Sequence, residues 1–311
     1  MLNAPNRKVL LKEETIMSNK QIRVACLGPL ESFSYIAAKN YFGDESEYIF
    51  MSQSDACRSV RLGKADYAVL PVENNTGGFV DTTLDALHWT GEVVIRDQIY
   101  LAVKQHLISM ASNITDIEVI YSHPQAFLQC RHSLKKLKSH CGHPIREIHV
   151  ESTSAGVEMA GNDPRSAAIG SAEAAARYHV PLLRKDFHHN RKNTTRFFVV
   201  GMGKIEEPTD QDRSAFLFEV HHQPGALATV FAQFKDARIN LLSLQSRPVN
   251  HVETTNWDYS FFLECEGHIY NEPLQTLYKV LRTGRPKTLR RKVRCLGSFP
   301  DRLQKHWAHF P

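Results

Sequence analysis

Asn193-Thr194-Thr195-Arg196-Phe197-Phe198-Val199-Val200 starts polar and ends apolar. An amide, two hydroxyls and a guanidinium come first. Phe197 to Val200 then reads as a buried strand. A polar cluster at the mouth of a buried strand presents a hydroxyl and a cation to a small anion in a cleft. The same residues also suit an ordinary turn with a surface cation. The rest of the chain bears on that choice, because the arrangement recurs.

Ile22 to Leu27 is a short apolar strand that runs into Gly28-Pro29-Leu30-Glu31-Ser32-Phe33-Ser34 and a helical pattern to Tyr41. The free N–H groups of such a helix start suit a carboxylate. Gly28 lacks the spacing of a dinucleotide fingerprint. Tyr67 to Val72 is a buried strand ending in Glu73-Asn74-Asn75-Thr76-Gly77-Gly78, which also reads as a plain loop. Glu73, directly after an apolar run, is expected to be partly buried and partnered. A helix from Val80 to Trp89 and a strand region from Glu92 to Val103 follow.

Val119-Ile120-Tyr121 leads into Ser122-His123-Pro124-Gln125 and a helix, with Pro124 in its first turn and Ser122 or His123 as cap. Ile148-His149-Val150 delivers Glu151-Ser152-Thr153-Ser154, and Ala167-Ala168-Ile169-Gly170-Ser171 opens one more helix. Short strands that repeatedly hand Ser, Thr or Asn to a helix start argue an α/β fold with parallel strands and polar ends facing one cleft. A charged linker, Lys204 to Arg213, closes this region. Beyond it lie strand 214–220, a helix from Gln223-Pro224-Gly225-Ala226-Leu227 to Ala237, strands Ile239–Ser246 and Trp257–Glu266, a helix Glu272–Arg282 and a strand Val293–Leu296. That βαββαβ order is the ferredoxin-like split unit.

The 311 residues suit two domains, and 42% hydrophobic with 23% charged residues describes an ordinary globular chain. Part of the +5 net charge sits in the run Arg285–Arg294, which has no interleaved aromatics, so no nucleic-acid partner is expected. Six cysteines without C-x-x-C spacing read as reduced thiols, and sixteen histidines show no convincing metal-ligand spacing. No apolar run is long enough to span a bilayer, and residues 1–20 lack a signal region. The reading is a cytoplasmic protein with no membrane partner, in which residues 1–16 are a disordered extension or precede the true start at Met17.

These motifs together resemble the prephenate dehydratase family with a C-terminal ACT regulatory domain. Gly28-Pro29-x-x-Ser32-Phe33-Ser34 resembles GPxGTFS, and Pro71-Val72-Glu73-Asn74-Asn75 resembles PIEN followed by Ser or Thr. Ser122-His123-Pro124-Gln125, Ser152-Thr153-Ser154-Ala155, Ala168-Ile169-Gly170-Ser171 and Asn193-x-Thr195-Arg196-Phe197 follow in family order. Gly225-Ala226-Leu227 resembles the GAL motif and Ser246-Arg247-Pro248 most of ESRP; Trp257-x-Tyr259-x-Phe261-Phe262 and Leu296–Pro300 fit the remainder. Departures are Glu31 for Gly, Ser32 for Thr, Asn75 for Ser or Thr, Gln245 for Glu, and a polar His188-His189. Glu31 would put a negative charge near a dianionic substrate. Gln245 leaves open how an effector's amine is held.

The resemblance implies a two-lobed, periplasmic-binding-protein-like catalytic domain at 21–203, a linker at 204–213, an ACT domain at 214–300 and a tail at 301–311. It implies a hydro-lyase that converts prephenate to phenylpyruvate with loss of carbon dioxide and water, driven by ring aromatisation, with no cofactor and no metal. Thr195 would assist the departing hydroxyl, and Glu73 would orient that network or act as an acid. Arg196 would take a carboxylate through a bidentate fork. Ser34, Asn74, Ser152, Thr153 and Phe197 would complete substrate binding, and His123 is either a cap or an acid. L-phenylalanine would bind Gly225, Ala226, Leu227, Gln245, Ser246, Arg247 and Pro248 where ACT domains pair in a homodimer or homotetramer. No chorismate mutase region is expected, since the first strand starts near residue 22. Two readings compete: an arogenate dehydratase, and a sensor that binds an aromatic metabolite without turning it over.

Overall fold

A computed structural model describes residues 21–190, 192–249, 258–283, 286–290 and 293–303. The expectations for residues 1–20, for Trp257, for part of the basic run (Arg285, Arg291, Lys292) and for Trp307 and Phe310 lie outside the described residues. Three sheets organise the chain.

The first lobe comprises β1 (Arg23–Cys26), α1 (Phe33–Phe42), β2 (Glu47–Phe50), α2 (Gln53–Arg61), β3 (Tyr67–Asn74), β4 (Gly78–Phe79), α3 (Asp81–Thr90) and β5 (Val94–Ala102). The second comprises β6 (His106–Ser109), β7 (Val119–Ser122), α4 (Pro124–Cys141), β8 (Arg146–His149), α5 (Thr153–Gly161), β9 (Ser166–Gly170), α6 (Ala172–Arg177) and β10 (Leu182–Arg184). Then β11 (Thr194–Gly201) returns to the first lobe, giving strand orders β2-β1-β3-β11-β5 and β10-β6-β9-β7-β8.

The expected strand-to-helix hand-over is built by serine caps. Ser32, Ser52, Ser152 and Ser171 each accept an N–H from the residue three positions on, which satisfies a group the helix start leaves open. The expectation of parallel strands holds only in part. β1 pairs in parallel with β2 and β3, and β7 with β8 and β9. β11 is antiparallel to both its neighbours, and β6 to β9. These are the strands where the chain passes between lobes, so they run against the units that β-α-β connections build.

The small domain follows with β12 (Asp212–Glu219), α7 (Ala226–Asp236), β13 (Leu241–Val249), β14 (Asp258–Glu266), α8 (Leu274–Arg282) and β15 (Arg294–Pro300). Its antiparallel order β13-β14-β12-β15 is the expected βαββαβ arrangement. It does not hang on a linker. Ala215, Phe262, Leu296 and Phe299 share one buried cluster with Ile95, Phe198 and Val200 of the first lobe. The Phe198 ring lies 6.2 Å from Phe262 and 5.6 Å from Phe299, edge-inclined distances typical of favourable aromatic packing. Gly297 lets β15 touch β5 closely, because a Cβ there would stand 2.2 Å from the Ile95 carbonyl oxygen. Emptying this junction by Phe262→Ala should lower unfolding free energy by about 3–5 kcal/mol, read from urea denaturation of the whole chain.

Candidate active site

β11 lies between β3 and β5, with Thr195 opposite Asn74 and Arg196 opposite Glu73. Partners across a sheet share a face, and neighbours along a strand do not. Thr195 and Asn74 therefore face one way, Arg196 and Glu73 the other. Below Thr195, Phe197 enters the cluster of Val24, Cys26, Tyr35 and Val69. Below Arg196, Phe198 and Val200 enter the core shared with the small domain. Two adjacent residues expected to grip one ligand thus look in opposite directions.

Asn74 is the hub of the Thr195 face and is 5% exposed. Its Oδ1 accepts the backbone N–H groups of Thr76 and Gly77 at 2.9 and 3.0 Å. Backbone N–H groups only donate, so this end of the amide is the oxygen. The Nδ2, with two hydrogens, shares them among Thr195 Oγ1 at 2.9 Å, Asn193 Oδ1 at 3.0 Å and the Thr194 carbonyl at 3.2 Å. Because Thr195 Oγ1 accepts from Asn74, its own hydrogen is left to point elsewhere. Asn74 was expected to bind substrate; its hydrogen-bonding groups are instead engaged within the protein, and it orients Thr195. Asn193, which the sequence did not single out as a site residue, is 2% exposed and completes this network.

Arg196 is 3% exposed and holds no cleft-facing position. Its Nη1 donates to Glu264 Oε2 at 2.8 Å, its Nη2 to Glu264 Oε1, and its Nε to Gln98 Oε1 at 2.8 Å. Glu73 stands 3.7 Å from Nη1. The bidentate fork expected for substrate is occupied by a carboxylate of the small domain. Burial opposes a charge on Arg196, but Glu264 overrides it and holds the guanidinium charged. Burial likewise opposes ionisation of Glu264, and Arg196 outweighs it, keeping the carboxyl below its usual range. Glu73, expected to serve Thr195, is on the wrong face to do so. Sequence reasoning missed Glu264, although a carboxylate inside Phe261-Phe262-Leu263-Glu264-Cys265 signals a buried partner.

The loop before α1 meets the helix starts of the second lobe directly. Ser154 Oγ donates to the Leu30 carbonyl at 3.0 Å, and Ser171 Oγ to the Glu31 carbonyl at 3.4 Å. Ser34 is buried in the first turn of α1, Ser152 caps α5, and Thr153 opens it. Glu31 has φ 61, the left-handed region that favours glycine, at the position where the quoted motif carries Gly. Nearby, a pocket of about 190 Å³ is lined by Thr76, Gly77, Gln125, His188 and Asn193, among others. His123 caps α4, its Nδ1 accepting from the Gln125 N–H at 3.2 Å. Burial, helped by His149, pushes its pKa down, so the ring is neutral at pH 7 and the acid role is not supported. His123→Asn, which keeps a capping acceptor, should leave kcat within about threefold in a steady-state assay.

A family model described as prephenate dehydratase matches residues 24–205. The chain belongs to the prephenate dehydratase family. That is a family of hydro-lyases of phenylalanine biosynthesis. The bifunctional chorismate mutase/prephenate dehydratase of Aquifex aeolicus is 37% identical over 286 residues, covering 91% of this chain and 75% of that one. The prephenate dehydratase of Lactococcus lactis is 28% identical over 256 residues, covering 80% and 88%. Among solved structures, prephenate dehydratase from Arthrobacter aurescens in complex with L-Phe superposes with TM-score 0.79 at 26% identity, covering 90% of each chain.

Of the residues expected to hold an effector in this prephenate dehydratase family member, the structure gathers only some. Gly225 caps α7 at φ 78, and Ala226 and Leu227 line a pocket of about 120 Å³ with Val220, Tyr259 and Phe261. Gln245, Ser246, Arg247 and Pro248 lie on β13, outside that lining. Arg247 is committed to the catalytic lobe. It donates to both carboxylate oxygens of Asp85 on α3, at 3.0 and 2.9 Å, and pairs with Asp81.

Proposed function

We propose that the chain dehydrates and decarboxylates prephenate to phenylpyruvate, with Thr195 as the group that assists the departing hydroxyl. The observation that carries this reading is the 2.9 Å bond from Asn74 Nδ2 into Thr195 Oγ1, which orients the hydroxyl as a donor. As carbon dioxide leaves, its bonding electrons enter the ring and the C–O bond at the opposite ring carbon breaks. The hydroxide formed collects a proton and departs as water. A threonine is too weak an acid to supply that proton unaided; its hydrogen bond stabilises the developing charge on oxygen. Carboxylate recognition falls to the α1 and α5 helix starts and to the hydroxyls of Ser34, Ser152 and Thr153. The test is direct: purified protein mixed with prephenate yields phenylpyruvate, followed in the ultraviolet. Turnover of arogenate alone would reassign the substrate, and tight binding of product analogues without turnover would favour a sensor.

The small domain we read as an ACT regulatory domain that binds L-phenylalanine at the pocket behind Gly225-Ala226-Leu227, in a homodimer or homotetramer. A lining of Val220, Ala226, Leu227, Tyr259 and Phe261 with the polar His221, His222 and Gln223, beside a helix start, suits an aromatic amino acid. Calorimetry with phenylalanine, tyrosine and tryptophan tests the effector. Silence from all three overturns it, and sedimentation velocity decides the subunit number.

A further inference from the structure

Glu264 belongs to the small domain, yet its charge is used by the catalytic strand. It is wholly buried in β14. Both its oxygens receive Arg196, and Ser243 on β13 donates to Oε2 at 2.9 Å. Arg196 directly follows Thr195, near the start of β11, where the strand emerges from a loop. The third guanidinium bond goes to Gln98 of β5, and the Gln98 Nε2 in turn donates to the Pro300 carbonyl of β15 at 2.8 Å. The small domain thus braces Arg196 from two of its strands. Within the catalytic lobes, Gln98 accepts from this guanidinium at 2.8 Å, Glu73 stands 3.7 Å away and the Tyr100 ring lies 6.0 Å from it, and none of these closes the fork.

We propose that Glu264 is a positioning residue for the dehydration step, acting through Arg196 to keep Thr195 in register with Asn74. The inference rests on the reading of Thr195 given above. Its physical basis is the steep dependence of rate on placement. A shift of about 1 Å in a reacting group is worth about 10²-fold in rate, whereas groups that bind substrate elsewhere are unaffected. It follows that the catalytic lobes are incomplete without the small domain, and that a change in β13 is felt at Thr195 through Ser243 and Glu264.

The test is Glu264→Gln in the full chain, assayed with prephenate alongside circular dichroism and a melting curve. The expected result is kcat lower by about 10–100-fold per folded molecule with KM within about threefold. Glu264→Asp, which keeps the charge, should recover part of that loss. A folded Glu264→Gln with kcat within twofold of the unmodified chain overturns the proposal, as does a variant whose only change is a lower melting temperature. If Glu264→Gln fails to fold, Ser243→Ala decides: kcat lower by about threefold at unchanged KM and melting temperature supports it, and unchanged kcat overturns it. An unmodified chain without turnover overturns the function and this inference together. An active chain with an unimpaired variant overturns only the inference.

Discussion

Thr195→Ala lowers kcat by about 10²–10³-fold and moves KM by less than about threefold, the magnitude of removing one donor from a developing oxyanion. The expectation follows from the direction of a single hydrogen bond. Two backbone N–H groups fix the oxygen end of Asn74, so its nitrogen end is the donor facing Thr195 Oγ1, the shortest of its three contacts at 2.9 Å. The threonine hydrogen then points away from Asn74. A group that contacts the leaving oxygen only as it gains charge contributes to the transition state more than to binding. Thr195→Ser, which keeps the hydroxyl, should retain most of the rate. Initial-rate kinetics on both variants make the measurement. Equal kcat for Thr195→Ala and the unmodified chain would remove Thr195 from the chemistry.

Arg196→Met lowers unfolding free energy by about 3–5 kcal/mol at pH 7, because it leaves Glu264 buried and charged without the cation that both its oxygens bind. A substrate-binding arginine would have shown itself first as a raised KM with stability little changed. Acidification separates the two further. In the unmodified chain the Glu264 pKa is lowered, so its stabilisation is complete above the ordinary glutamate value of about 4.3 and is lost as pH falls through the folded value. Without Arg196, burial opposes ionisation of Glu264 against only the field of Arg213 and the Ser243 hydrogen bond, so its pKa rises and the variant loses less stability as protons bind. The gap between the two proteins should therefore close towards about pH 3–4. Denaturant titrations across that range check it, and a gap independent of pH would contradict the ion pair.

Much of the architecture is legible in the amino-acid order, for identifiable reasons. A Ser ahead of a helical pattern signals a cap, and Ser32, Ser152 and Ser171 all cap. The shift in pattern after Gly203 signals a second unit, and its βαββαβ order is present. The edge strands are harder to read. Glu47–Phe50 and Leu182–Arg184 are short and half exposed, so their apolar signal is weak. The apolar run puts the end of β3 too early, since Glu73 and Asn74 look like loop residues until β11 pairs with them.

By itself the sequence determined which groups are available: a hydroxyl, an amide and a guanidinium at the mouth of an apolar strand, in a chain whose helix starts are rich in serine. Tertiary structure alone decided how they are used. A strand turns successive side chains to opposite faces, and what lies over each face comes from distant segments. On one face Asn74 of β3 sits beside Thr195 and holds its hydroxyl, which is the basis for proposing that it serves the chemistry. Over the other lies a strand of the small domain bearing Glu264, 68 residues away, so Arg196 is bound in the core.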